Sequence, residues 1–209
     1  MYTPTLTGVG ERFHLLRDDI DLDFHIRDVI QVLTYEDLHD VILAGHSYGG
    51  MVITGVADLA TDRIGHLVYL DAATPVNGQS LAEVSPPQMA AARAKGEVVN
   101  GVEVVLQPGL EPIPNYGVTD PDDITWMTPK LTPHPYKCFG QKLHLENEVE
   151  LWQIPQTHIV CTNTIPHRDP ELVAKARANG RLWDIDTGHD LMITEPQAVA
   201  TCLLRIPNT

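Results

Sequence analysis

The stretch Gly45-His46-Ser47-Tyr48-Gly49, with Gly50 behind it, constrains this chain more than any other. It follows the continuous apolar run Val41-Ile42-Leu43-Ala44, which suits a strand buried on both faces. Residues 49–60, small and apolar, read as a helix leaving the motif. A strand that passes into a helix through so few residues must turn sharply, and its central residue takes a strained backbone conformation. Glycines at 45 and 49 are expected to let strand and helix approach closely. Ser47 would then stand clear of the sheet edge, where a base can reach its hydroxyl. The helix start behind it offers free N–H groups to a developing oxyanion, with the Tyr48 N–H as the expected donor. The same letters also occur in turns whose serine merely caps a helix. The strand before and the helix after favour the nucleophile.

His66–Leu70 reads as a second buried strand, completing a βαβ unit and hence a parallel sheet. Upstream, Leu22, Ile26, Val29, Ile30 and Leu33 follow helical spacing behind Asp21 as N-cap. Residues 1–6 read as the tail of a strand broken by Gly8 and Gly10. From 75 to 155 the chain is punctuated by prolines, among them Pro86, Pro87, Pro108, Pro112, Pro114, Pro121, Pro129, Pro133 and Pro135. Short helical stretches such as 80–95 occur there, but no strand series. The sheet pattern resumes at Thr157–Cys161, followed by a helix around 170–178, a strand at Arg181–Ile185 and a last helix from Pro196 to Leu204. The expected fold is α/β, a mainly parallel sheet flanked by helices. Its core would comprise 1–74 and 156–209, with 75–155 inserted as a lid.

A serine hydroxyl needs an adjacent base to attack at neutral pH. Of ten histidines, His189 stands out, because Thr187-Gly188-His189-Asp190 follows a late strand and precedes the final helix. His25 and His39 read as helix-surface residues, and His134, His144 and His167 lie in polar, proline-punctuated segments. The acid that orients the imidazole is less determined. Asp71 closes the strand ending at Leu70 and would emerge one strand over from Ser47. Asp169, beyond the strand Thr157–Cys161, is the alternative. Asp186 and Asp190 are too near His189 in sequence to face it across a cleft.

The formal charge of −14, without any Lys/Arg cluster, argues against nucleic-acid binding and reads as solubility. Cys138, Cys161 and Cys202 show no metal spacing; Cys161 and Cys202 sit in apolar runs as reduced core residues. No apolar run approaches the ~20 residues of a membrane span, and no signal peptide opens the chain, so a cytoplasmic location is expected. Nothing calls for a metal or organic cofactor. Tyr116, Trp126, Tyr136 and Trp152 could line an apolar substrate pocket or simply form lid core.

Several stretches together resemble the bacterial esterase branch of the α/β-hydrolase superfamily, related to plant methylesterases and hydroxynitrile lyases. They are Tyr2-Thr3-Pro4-Thr5-Leu6-Thr7-Gly8, Gly10-Glu11-Arg12, Gly45 to Val52, Tyr69-Leu70-Asp71-Ala72 and Gly188-His189-Asp190. The resemblance implies hydrolysis of a small-molecule carboxylic ester through an acyl-enzyme on Ser47, with His189 as base. Plant members carry an aspartate just after the strand matching 157–161, where Asn163 and Thr164 stand here. Asp71 instead sits where haloalkane dehalogenases take their acid. The lyases carry a lysine after the histidine; Asp190 in its place disfavours departure of cyanide. Relatives also begin with further strands and a His-Gly loop that supplies a second oxyanion donor. The resemblance therefore implies an exposed sheet edge, through which copies could associate, and impaired turnover. The alternative function is a weak or inactive small-molecule binder of the same fold. Replacing the nucleophile tests the reading directly: Ser47→Ala is expected to abolish covalent labelling by a fluorophosphonate, and undiminished labelling would remove Ser47 from the role.

Overall fold

Parallel pairing of strands demands a crossover between each pair, and the chain provides three. The computed structural model describes residues 1–106 and 113–206; residues 107–112, with Pro108 and Pro112 of the expected lid, lie outside them. Helix α1 (Leu22–Tyr35) precedes β1 (Val41–His46), α2 (Gly49–Leu59) and β2 (Ile64–Leu70). A long excursion holds α3 (Leu81–Val84), α4 (Pro86–Ala94), β3 (Glu97–Val99), β4 (Val102–Val105) and α5 (Pro121–Met127). It continues through β5 (His134–Pro135), α6 (Lys137–Gly140) and α7 (Glu148–Leu151). The chain returns as β6 (Gln156–Cys161), α8 (Pro170–Ala178), β7 (Leu182–Ile185), α9 (Leu191–Thr194) and α10 (Pro196–Arg205). The main sheet has four parallel strands in the order β1-β2-β6-β7.

Two apolar layers hold this sheet. On one face α1 and α2 pack Ile26, Leu33, Met51 and Val56 against Leu67 and Tyr69. On the other, Val199 of α10 and Leu191 of α9 cover Val68, Leu70, Ile159 and Ile185. Helix α1 starts where its sequence said it should, with the Asp21 side chain accepting from the Phe24 N–H. Asp21 thereby satisfies one of the amides that a helix start leaves without a partner.

Three expectations are corrected. Residues 1–6 form no strand; among the described residues β1 pairs only with β2, and an extended segment without a neighbour has nothing to hold it. Strand β1 is not buried on both faces: Ile42 is 39% exposed and Ala44 is also exposed, because α9 and α10 cover the sheet only from β2 onward. The excursion 75–155 does contain strands, with β3, β4 and β5 forming an antiparallel sheet. Glu97-Val98-Val99 and Val102–Val105 meet through Asn100 and Gly101, both at positive φ. Asn-Gly is a two-residue hairpin signal that the density of prolines obscured.

The excursion also shares the main core. Leu81, Ala92, Val105, Phe139, Leu143 and Leu151 join one cluster with Met51 and Leu67. Its return is tied to α2 by buried Asp58, whose carboxylate accepts the Glu146 N–H at 2.9 Å and the Asn147 N–H at 2.8 Å. Among the described residues, no helix is long and apolar enough to cross a membrane. Asp58→Ala would strand two amides without an acceptor and is expected to cost on the order of 2 kcal/mol in urea unfolding. Asp58→Asn, which keeps one carbonyl oxygen, should recover part of that loss.

Candidate active site

The register of the sheet sets the site. His46 lies opposite Leu70 on adjacent parallel strands, so the next residues, Ser47 and Asp71, leave the sheet side by side. Both turn there through left-handed backbone, Ser47 at φ 52° and Asp71 at φ 41°. Each such non-glycine residue costs about 1–3 kcal/mol and persists only where its surroundings hold it. Around Ser47 they do: its N–H donates to Leu70 O at 3.3 Å, and its carbonyl accepts from Gly50 N at 3.1 Å and Ala73 N at 3.0 Å.

The tightness of the turn explains the glycines, with one change from the expectation. A Cβ at Gly45 would lie 2.5 Å from the Gly49 carbonyl oxygen, so strand and helix can meet only over a glycine. A Cβ at Gly49 would meet nothing within 4 Å, whereas one at Gly50 would run into the Ala73 carbonyl. The second close approach therefore belongs to Gly50, which passes against the chain leaving Asp71. Tyr48 stands immediately before α2, at the helix start, where backbone amides lack an intrahelical acceptor. Its ring is anchored elsewhere. The Thr7 carbonyl can only accept, so His25 Nε2 donates to it at 2.9 Å, and His25 Nδ1 accepts the Tyr48 hydroxyl at 3.0 Å. His25 is fully buried, not the helix-surface residue expected, and His134 stacks on Phe139 beside the Tyr48 ring.

His189, in the loop between β7 and α9, meets both strand-end residues. Its Nδ1 lies 2.6 Å from Asp71 Oδ2 and its Nε2 lies 2.9 Å from Ser47 Oγ. Burial opposes the charge of Asp71, but the His189 hydrogen bond, the Arg168 guanidinium, the Thr164 hydroxyl and the Cys161 N–H outweigh it. Together they hold its pKa below the usual carboxylate range. An anionic carboxylate can only accept, so His189 Nδ1 carries the proton and Nε2 is left to accept from the Ser47 hydroxyl. That tautomer is the one in which an imidazole can take a proton from an attacking hydroxyl. Asp169, the other candidate acid, is occupied elsewhere: it caps α8 by accepting the Glu171 N–H at 2.8 Å.

Other residues close the corner. His46 Nε2 donates to the His189 carbonyl at 3.0 Å, and the two rings lie 4.6 Å apart. Burial, reinforced by neighbouring His189, pushes His46 down to about 4, so it is a neutral support. Burial likewise raises Asp190. His46, His189 and Asp190 bring potential ligand atoms within 4.8 Å of one another, and His46 Nε2 and both His189 nitrogens carry the hydrogen bonds described. Gly188 and Gly117 pass so closely that a Cβ on either would strike the other's backbone. This contact brings the Tyr116 ring to 6.3 Å from that of His189. The other three aromatics considered for a pocket have different neighbours: Trp126 sits under Lys130, Tyr136 under Arg93, and Trp152 lines a 590 Å³ cleft against α8. Sequence reasoning missed His46, Thr164 and Arg168. His46 was visible as the variable position of G-x-S-x-G, whereas nothing local marks Thr164 or Arg168.

Comparison with known proteins agrees with this architecture. A profile described as "Alpha/beta hydrolase family" matches residues 1–201. Over 84 residues the chain is 57% identical to a carbendazim hydrolyzing esterase of Nocardioides sp. (strain SG-4G), covering 40% of this chain and 35% of that protein. The match thus spans little more than a third of that curated relative. Among solved structures, an extracellular alpha/beta-hydrolase from a Paenibacillus species superposes with TM-score 0.76 at 23% identity, covering 98% of this chain and 86% of the other. A methylesterase from Arabidopsis gives TM-score 0.70 at 24% identity, covering 97% and 84%. These structural likenesses speak to the fold, and the profile, spanning nearly the whole chain, shows that the protein belongs to the alpha/beta hydrolase family.

Proposed function

We propose that this chain is a serine hydrolase that cleaves carboxylic esters of small organic molecules through an acyl-enzyme. The observation that carries the reading is the unbroken series Ser47 Oγ, His189, Asp71, with contacts of 2.9 and 2.6 Å. In the first step Ser47 Oγ attacks the ester carbonyl carbon while its proton passes to His189 Nε2. The carbonyl oxygen takes the negative charge and accepts from the Tyr48 N–H. Collapse of the tetrahedral intermediate breaks the ester C–O bond, and the imidazolium gives its proton to the departing alcohol. Water then repeats the sequence on the acyl-serine, with His189 again as base, releasing the acid. Asp71 holds the imidazole in the required tautomer and stabilises its charged form.

The partial kinship to an esterase supports the ester as substrate class. In this reading the excursion 75–155 acts as the lid, with the stretch at Tyr116 and Gly117 as the part that meets the catalytic loop. The competing reading, a small-molecule binder that turns over poorly, parts from it experimentally. A chain that is labelled by fluorophosphonate yet leaves short-chain aryl esters intact under multiple-turnover conditions would fit the binder and not the esterase.

The acid can be tested by a single isosteric change. Asp71→Asn keeps the shape but lets the amide face His189 with the wrong hydrogen-bonding sense, and turnover of an aryl ester should fall by about 10³- to 10⁴-fold. Asp169→Asn should leave turnover within about twofold, because loss of one exposed cap contributes only to helix stability. The reverse ranking would move the acid to Asp169.

A further inference from the structure

The hydrogen bonds around Asp71 are divided unequally between its two oxygens. Oδ2 meets His189. Oδ1 takes everything else: the Cys161 N–H at 3.1 Å, the Thr164 hydroxyl at 2.5 Å and Arg168 Nη2 at 2.5 Å. Three donors on one oxygen occupy all the directions from which it can accept, so the carboxylate cannot rotate to exchange its oxygens without abandoning them. Arg168 is the only charged group among the three. Its second amino group, Nη1, donates to the Ala72 carbonyl at 3.1 Å, so the guanidinium spans the two residues at the turn out of β2. The side chain is only 14% exposed and its Nε is buried without a hydrogen-bond partner. A guanidinium taken out of water with a donor left unpaired is costly, and the fold's stability alone gives little reason to keep it.

We infer that Arg168 is a positioning residue of this site, which locks the Asp71 carboxylate toward His189 and offsets part of its negative charge there. The inference rests on the proposed role of His189 as base and concerns the pH range over which that base works. An uncompensated carboxylate against Nδ1 favours the imidazolium, which cannot accept a proton from Ser47. A fixed positive charge one carboxylate-width behind it weakens that preference and keeps the base available at lower pH. The other groups facing His189 are accounted for. From the elbow come Ser47 and His46; from its own loop, Asp190; from β6, the Cys161 thiol, which meets the Gly188 carbonyl; and from the excursion, Tyr116. Burial raises the Cys161 thiol to about 12 and lowers His46 to about 4, so neither titrates near neutrality. The fixed positive charge comes from Arg168, on the far oxygen of Asp71.

The test is the pH dependence of Ser47 labelling by a fluorophosphonate, measured for the full chain, Arg168→Gln, Arg168→Met and Arg168→Lys, with folding followed by circular dichroism. Removing the charge should move the half-point of the acid limb upward by on the order of one pH unit in both Gln and Met variants. The plateau rate should also fall about tenfold, as the freed carboxylate samples other orientations. Lysine keeps the charge without the fork, so its acid limb should stay near that of the parent while the plateau falls. A folded Gln or Met variant with the parent's acid limb overturns the inference. Loss of the fold in both overturns it equally, by making the guanidinium a strut of the domain. Ser47→Ala and His189→Ala run alongside. Labelling that survives either substitution would sink the base assignment itself, a failure distinct from an unmoved acid limb.

Discussion

The Asp71 carboxylate is the contact on which the rest of the site depends. Its backbone N–H donates to Ile159 O at 2.7 Å, and its Oδ1 accepts from Cys161 N, so one residue ties the end of β2 to β6 twice. Through Arg168 it fixes the approach to α8, and through Oδ2 it fixes the loop between β7 and α9. Segments from four places in the chain converge on a buried anion that is 1% exposed. Such a charge is tolerable only when fully paired, and here pairing and positioning are the same set of bonds.

That arrangement has energetic consequences. Ser47 and Asp71 both hold left-handed backbone, a cost that the apolar layers on both faces of the sheet must carry. The pKa of Asp71 is depressed in the folded state, so the stability it contributes is fully present above the ordinary carboxylate range. It is lost only as pH falls below that range toward the folded value. Acid therefore attacks the link between β2 and the loop from β7 to α9 late. His46, pushed down to about 4 by burial, stays neutral from pH 7 to near that value while its Nε2 donates to the His189 carbonyl.

Much of this was legible in the sequence, for physical reasons that can be named. Strand β2, helix α2 and the elbow announce themselves because each local choice is forced: continuous apolarity, then a glycine where strand and helix touch. Asp71 was reachable because parallel register puts successive strand ends at one level. Where the reading slipped, tertiary context decided. Ile42 looks like a core residue but sits on a strand with one neighbour. His25 lies on the buried face of α1, beside Leu22 and Ile26, and a polar ring is held there because the Tyr48 hydroxyl and the Thr7 carbonyl supply partners from distant parts of the chain. The β3–β5 sheet hid among prolines, and β5 itself contains Pro135. Arg168 lies 97 residues from the carboxylate it serves, and no periodicity connects them.

The central claim is that Asp71, through Oδ2, holds the proton on His189 Nδ1. Proton NMR of the ¹⁵N-histidine-labelled protein observes that proton directly, as a downfield resonance coupled to an imidazole nitrogen. The account predicts one such signal that survives Ser47→Ala and disappears in Asp71→Ala. Persistence of the signal assigned to His189 Nδ1–H, unshifted, without Asp71 would contradict it, because His189 would then be held by some other group.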